Sequence, residues 1–180
     1  MEIKRVWAMS NKWTFKVKPL LNIVLKYCGD GKNWVDMFSG FNSPVEITND
    51  INPETPAKYH MDAHDFIQLF DNSSIDGVIF DPPYSISQVK RSYDKNGLES
   101  LMSKNSKYFD PTASFTLVKE NISRILKPGG ICISFGWNTN GIGKKRGMEI
   151  IEILIVAHGG GRNDTLVTVE RKVRRTLEVE

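Results

Sequence analysis

Four consecutive residues, Asp81-Pro82-Pro83-Tyr84, make a tool suited to an aromatic amine. An exocyclic amino group carries two N–H bonds. The Asp81 carboxylate and a proline carbonyl can each accept one of them, which draws the nitrogen lone pair out of conjugation and toward an electrophile. The prolines stiffen the backbone and bring no N–H of their own to compete. The Tyr84 ring offers a face to a base taken out of its stack. The tetrapeptide follows Ile75-Asp76-Gly77-Val78-Ile79-Phe80, which reads as a buried strand, and two prolines must end its ladder. Ligands bind at the carboxyl ends of strands in open α/β sheets. The competing reading is a strand-ending turn in which Asp81 merely caps.

The elements around this turn alternate in period. Lys18 to Tyr27 predicts a helix, with Pro19 in its first turn, an apolar face from Leu20 to Leu25, and Gly29 as its stop. Trp34 to Phe38 predicts a short buried strand ending at Ser39-Gly40. Val45 to Thr48 predicts a second strand, Lys58 to Met61 a weak third, and Ala63 to Phe70 a short helix. Residues 85–110 read as a long polar loop. Thr112 to Leu126 has helical periodicity and ends at Lys127-Pro128-Gly129-Gly130, before a strand at Ile131–Phe135. Ile150 to His158 and Thr165 to Glu170 predict a hairpin around Gly159-Gly160-Gly161. The pattern predicts one α/β domain over residues 1–180, with a mainly parallel sheet that ends in an antiparallel hairpin. Residues 171–180 read as a basic tail.

Composition narrows the class. With 180 residues, 40% hydrophobic and 25% charged, the chain fits one globular domain that needs no disulfide or metal to hold it. Its most apolar stretch, residues 150–157, contains Glu152 and is too short to span a membrane. Met1 to Arg5 leads into no apolar segment, so no secretory signal is expected, and a cytoplasmic setting with Cys28 and Cys132 reduced is. His60, His64 and His158 have no arrangement resembling a zinc site. The net charge of +3 is uneven: residues 1–27 carry +5, residues 28–81 carry −8, and the remainder carry +6. Basic ends suit a polyanion, and an acidic middle suits something cationic or rich in hydroxyls. An unevenly charged, solvated surface is the plainer alternative.

The tetrapeptide resembles the DPPY motif of amino-group nucleic-acid methyltransferases, above all small phage-type enzymes that methylate adenine N6 in DNA. Other segments resemble that family in the same order. Asp36-Met37-Phe38-Ser39-Gly40 is similar to its D-P-F-x-G opening, Thr48 to Pro53 to its second motif, and His60 to Ala63 to its third. Trp13 to Pro19 resembles the N-terminal segment that closes over the cofactor. The resemblance implies a Rossmann-like class I methyltransferase fold and S-adenosylmethionine as cofactor. Phe15 would wall the cofactor, with Asp36, Phe38 and Gly40 at its methionine end. Asp50 would take its ribose hydroxyls, Asp62 would face its adenine, and Asp81 would stand at the transferred methyl. Asp81, Pro82, Pro83 and Tyr84 would carry catalysis on a flipped adenine of duplex DNA.

Three departures qualify this. The usual F-x-G-x-G is Phe38-Ser39-Gly40-Phe41-Asn42, and Asn42 tolerates unusual backbone angles better than most residues. Only Ser39 to Pro44 joins the first two strands, too few for a crossover helix, so that helix is expected to be missing. No separate recognition domain fits. Lys90, Arg91 and Tyr93 in the 85–110 loop, with Lys144-Lys145-Arg146, are the candidates for DNA contact. So little surface should read a short or degenerate site or recruit a second subunit, such as a second copy in a homodimer. Cytosine N4, RNA adenine, and a protein that binds DNA or cofactor without turnover stay open beside DNA adenine.

Overall fold

α1 (Lys18–Cys28) starts with Pro19 in its first turn, where no intrahelical partner awaits an N–H, and stops at Gly29, whose φ of 58° suits glycine. Its buried stripe of Leu20, Ile23, Val24 and Cys28 lies on one face of a seven-stranded sheet. The computed structural model describes residues 1–84, 88, 94 and 115–173. The strands are β1 (Glu2–Trp7), β2 (Trp34–Asp36), β3 (Ile47–Thr48), β4 (Ile75–Phe80), β5 (Leu126–Gly136), β6 (Met148–Ala157) and β7 (Thr165–Lys172). They lie in the order β1-β6-β7-β5-β4-β2-β3. β7 runs antiparallel to β5 and β6, and the other pairings are parallel.

The opposite face is covered by α2 (Ala63–Phe66), a 3-10 turn at Ile67–Leu69, and α3 (Thr116–Ile125). Val118, Ile122 and Ile125 of α3 are fully buried against Val78, Phe80, Cys132 and Phe66. Truncating Ile122 to alanine removes packed atoms at a site that cannot collapse, a loss of about 2–5 kcal/mol. β4 carries glycine at position 77 because the Trp34 indole lies across it: a Cβ there would stand 2.1 Å from the ring. Among the described residues no helix is long and apolar enough to cross a membrane.

Several expectations are corrected. β2 stops at Asp36, because the next residues turn to follow side-chain bonds described below. β3 is a two-residue stub, and the third strand shrinks to a single parallel bridge between Asn49 and Tyr59. Pro128-Gly129-Gly130 does not separate helix from strand. β5 starts at Leu126, opposite Ile75, and absorbs the turn as an irregularity before Ile131 pairs with Gly77. Glu2 to Trp7 forms a strand the sequence did not announce: an exposed edge held by parallel pairing to β6. Trp7 on this edge is 65% exposed, and Trp137 after β5 is 45% exposed. The six-residue link from Ser39 to Pro44 does lack a helix. The 85–110 loop, with Lys90, Arg91 and Tyr93, lies outside the described residues apart from Gln88 and Asp94.

A buried carboxylate fastens the β1 edge. Glu152 of β6 is 3% exposed and accepts from Lys26 Nζ and from the Tyr27 hydroxyl, each at 2.5 Å, with Lys4 Nζ at 3.6 Å. Burial alone would push this carboxyl up. The bonds from Lys26 and Tyr27 and the nearby lysine charges outweigh it and hold Glu152 below the ordinary carboxylate range.

Candidate active site

β2 and β4 are direct neighbours, with Asp36 opposite Ile79, so the turns that leave them emerge side by side at the carboxyl end of the sheet. A cavity of about 510 Å³ opens there. Met37 and Phe38 after β2, Asp50 and Ile51 after β3, Met61 and His64, and Asp81 to Tyr84 after β4 all line it. A smaller cavity of about 200 Å³ runs between the 3-10 turn Thr14–Lys16 and residues 38–42, and Lys12, Thr14, Phe38 and Asp81 wall both.

On the β2 side, side chains replace the missing helix as the means of shaping the turn. Asp36 is fully buried; its Oδ1 accepts the Phe38 N–H at 3.1 Å and its Oδ2 the Ser43 hydroxyl at 2.7 Å. Burial raises its carboxyl to about 7, against these bonds, and Asp81 and Asp50 add repulsion. Asn49, 1% exposed, donates to the carbonyls of Met37 and Met61 and accepts the Met61 N–H at 2.9 Å. It thereby clips the first turn to the third. Gly40 has a φ of 52°, and its N–H donates to Asp50 Oδ2 at 2.8 Å. Asp50 Oδ1 accepts the Asn52 N–H at 2.9 Å. Ser39 Oγ is buried with no hydrogen-bond partner.

The β4 side is simpler. Asp81 Oδ2 accepts the Thr14 hydroxyl at 2.5 Å, and Oδ1 accepts the Tyr84 hydroxyl. Burial pushes the Asp81 carboxyl up, and the two hydroxyls offset part of that rise. Burial, with the adjacent Asp81 charge, also holds the Tyr84 phenol above its usual range. The Tyr84 ring meets Trp137 edge to face with centroids 5.6 Å apart.

The expected site residues fall into three groups. Asp81, Pro82, Pro83, Tyr84, Phe38 and Asp50 come together on the large cavity, with Phe15 and Gly40 on the small one. Asp36 lines neither and braces the turn from behind. Asp62 caps α2, its Oδ1 accepting the His64 N–H at 2.8 Å and facing His64 Nδ1 at 2.9 Å. His64 is the ring that lines the cavity in its place. The basic triplet Lys144-Lys145-Arg146 occupies a 3-10 turn. Arg146 is turned inward to the Ile142 carbonyl at 3.1 Å and toward Glu120 at 3.8 Å, which leaves Lys144 and Lys145 exposed. Buried Glu170 sets this loop by accepting the N–H groups of Ile142 and Gly143 at 2.6 and 2.8 Å. Sequence reasoning missed Thr14, Asn49, His64 and Glu170. Thr14 adjoins Phe15 and His64 adjoins the third motif, but Asn49 and Glu170 carry no local signal.

No protein-family model and no curated protein matches the sequence. Solved structures do match its fold. TrmN from Thermus thermophilus superposes with a TM-score of 0.52 at 14% identity over 87% of this chain and 49% of that one. The 1,6-didemethyltoxoflavin-N1-methyltransferase of Burkholderia thailandensis, solved with 1,6-didemethyltoxoflavin and S-adenosylhomocysteine, gives 0.56 at 12% identity over 87% and 78%. The N-methyltransferase NodS from Bradyrhizobium japonicum WM9 gives 0.56 at 10% over 86% and 94%. The fold is that of the Rossmann-like methyltransferases. The chain spans about half the length of TrmN. Within this methyltransferase fold it keeps the sheet and the antiparallel β7, and abbreviates the β2–β3 crossover.

Proposed function

We propose that this protein transfers a methyl group from S-adenosylmethionine to the N6 amino group of adenine in DNA. The observation that carries this reading is the Asp81-Pro82-Pro83-Tyr84 turn at the carboxyl end of β4, lining a cavity that the β2 and β3 turns also line. When bound, S-adenosylmethionine supplies a methyl group on a sulfonium that leaves as a neutral thioether. The described residues fit it. Each oxygen of Asp50 accepts one backbone N–H and keeps a lone pair for a ribose hydroxyl. The orphaned Ser39 hydroxyl, 4% exposed beside the small cavity, is a polar group awaiting a partner. Phe38 and Met61 supply apolar wall.

Asp81 and the Pro82 carbonyl accept the two N–H bonds of the amine, and Tyr84 stacks the extruded base. The chain contributes position and charge rather than a strong base, because a sulfonium needs little help as an electrophile. Exposed Lys144 and Lys145 suit phosphates, and the half-exposed Trp137 ring suits an unstacked base. A surface this small goes with a short recognition site or a second copy of the chain. The test is labelled methyl transfer to unmodified duplex DNA, with the product digested to nucleosides and identified by mass. N6-methyldeoxyadenosine supports the reading. An N4-methylcytosine product, or labelling of RNA alone, replaces the substrate while keeping the chemistry. Cofactor binding with no product on any nucleic acid overturns it.

A further inference from the structure

The two oxygens of Asp81 are held by hydroxyls of different standing. Thr14 reaches Oδ2 from 67 positions away, at 2.5 Å. Its backbone is fixed: Trp13 donates to Asn11 Oδ1, Lys16 to the Trp13 carbonyl and Val17 to the Thr14 carbonyl, at 3.0–3.1 Å. Buried Phe15, edge-on to Phe135 at 5.9 Å, and buried Val17 pin the turn on the next residues. A β-branched side chain on such a backbone has little freedom at χ1. The Tyr84 hydroxyl on Oδ1 comes from the same turn as Asp81, at the end of a long side chain whose ring meets Trp137 edge to face, with no backbone turn of its own pinning the hydroxyl as Thr14 has. A carboxylate torsion is broad and nearly two-fold, so one immovable donor decides which oxygen faces where.

We propose that Thr14 is a positioning residue for the methyl acceptor. Its hydroxyl holds Oδ2 of Asp81 throughout, so that Oδ1 stays aimed at the incoming amine, which takes the place of the Tyr84 hydroxyl. This rests on the proposal above that Asp81 accepts an amine N–H. Thr14 and Asp81 both wall the two cavities, which puts the held carboxylate at their junction.

Two variants separate hydroxyl from shape. Thr14→Val keeps the volume and loses the donor; Thr14→Ser keeps the donor and loses the methyl. In steady-state methyl transfer, Thr14→Val should lower kcat roughly 10–100-fold, the scale of a misplaced reacting group, with the cofactor KM within about 3-fold. Thr14→Ser should stay within about 3-fold of wild type. A second readout needs no turnover: the 13Cγ resonance of Asp81 in the free protein, assigned with Asp81→Asn and followed against pH. The groups on this carboxyl are the hydroxyls of Thr14 and Tyr84; Asp36 on the next strand repels it, and Lys12 lines the same two cavities. Losing the Thr14 donor should raise its midpoint by about one pH unit, and serine should restore it. An unchanged midpoint in Thr14→Val, wild-type kcat in that variant, or a serine variant as impaired as the valine one would each overturn the proposal. If the wild-type protein methylates no nucleic acid, the proposed function falls and takes the role toward the acceptor with it, whereas an unchanged midpoint with methylation intact overturns the Thr14 proposal alone.

Discussion

Asp36 ends β2, and Asp81 follows the end of its neighbour β4. Asp36 is sealed behind its turn, fully buried, with both oxygens committed to Phe38 and Ser43. Asp81 faces the cavity, with one oxygen committed to Thr14 and the other to the Tyr84 hydroxyl. Two identical side chains, one strand apart, thus serve different ends. One replaces a helix as the brace of a turn; the other presents an acceptor. Accessibility to the cavity, and not residue type or position on the strand, separates the two, and on the proposed function it separates a structural carboxylate from a chemical one.

The largest effect that tests this contrast is at Asp81. Asp81→Ala should cut methyl transfer by about 10³-fold or more, with cofactor affinity by calorimetry nearly unchanged. Substantial residual activity would remove the distinction. Asp50 should lie between the two extremes. Asp50→Ala should weaken S-adenosylhomocysteine binding by roughly 10–100-fold, the value of hydrogen bonds to a charged acceptor. Lys144→Ala with Lys145→Ala should lower the slope of log affinity against log salt for DNA by about 1.8, from two lost phosphate contacts. A slope identical to wild type would take that turn out of the interface.

The smallest effect on activity belongs to Asp36. Asp36→Asn keeps the acceptor for Phe38 and a partner for Ser43, so transfer should stay within about 3-fold of wild type. Stability separates the two. The folded carboxyl lies at about 7 against 3.8 for an ordinary aspartate, so its contribution is fully present below pH 3.8 and is lost as pH rises through 7. The Asn variant loses no proton. Its unfolding free energy relative to wild type, from denaturant melts, should therefore climb between pH 4 and pH 7 and then level off, a gain on the order of a few kcal/mol. A difference constant across that window would mean that Asp36 is not held in the buried state described.

The legible parts of the molecule were those whose pattern is local. α1, β4 and the β6–β7 hairpin follow from apolar periodicity and glycine or proline stops. The Asp81 turn follows from four adjacent residues. β1 was not legible, because Glu-Ile-Lys-Arg-Val-Trp has too little apolar content to read as a strand, and it forms only because β6 offers an edge. β5 began earlier than expected because a ladder can pass through Pro128-Gly129-Gly130 as a bulge. Within the site, Asp36 and Asp62 had the right type and place for a ligand. Only the three-dimensional partners, Ser43 for one and His64 for the other, show that both are engaged in shaping backbone.

The pairing of β1 with β6 also sets an order of events. Glu2 lies opposite Glu152, and the Glu152 network with Lys4, Lys26 and Tyr27 joins the same distant segments. At about 5–20 residues per second, a ribosome needs roughly 8–30 s between making the first of these residues and the last. During that interval the first strand has no partner, and Lys4 and Lys26 have Glu2 but not Glu152 as a counter-charge. The edge therefore cannot close until the chain has been made through β6.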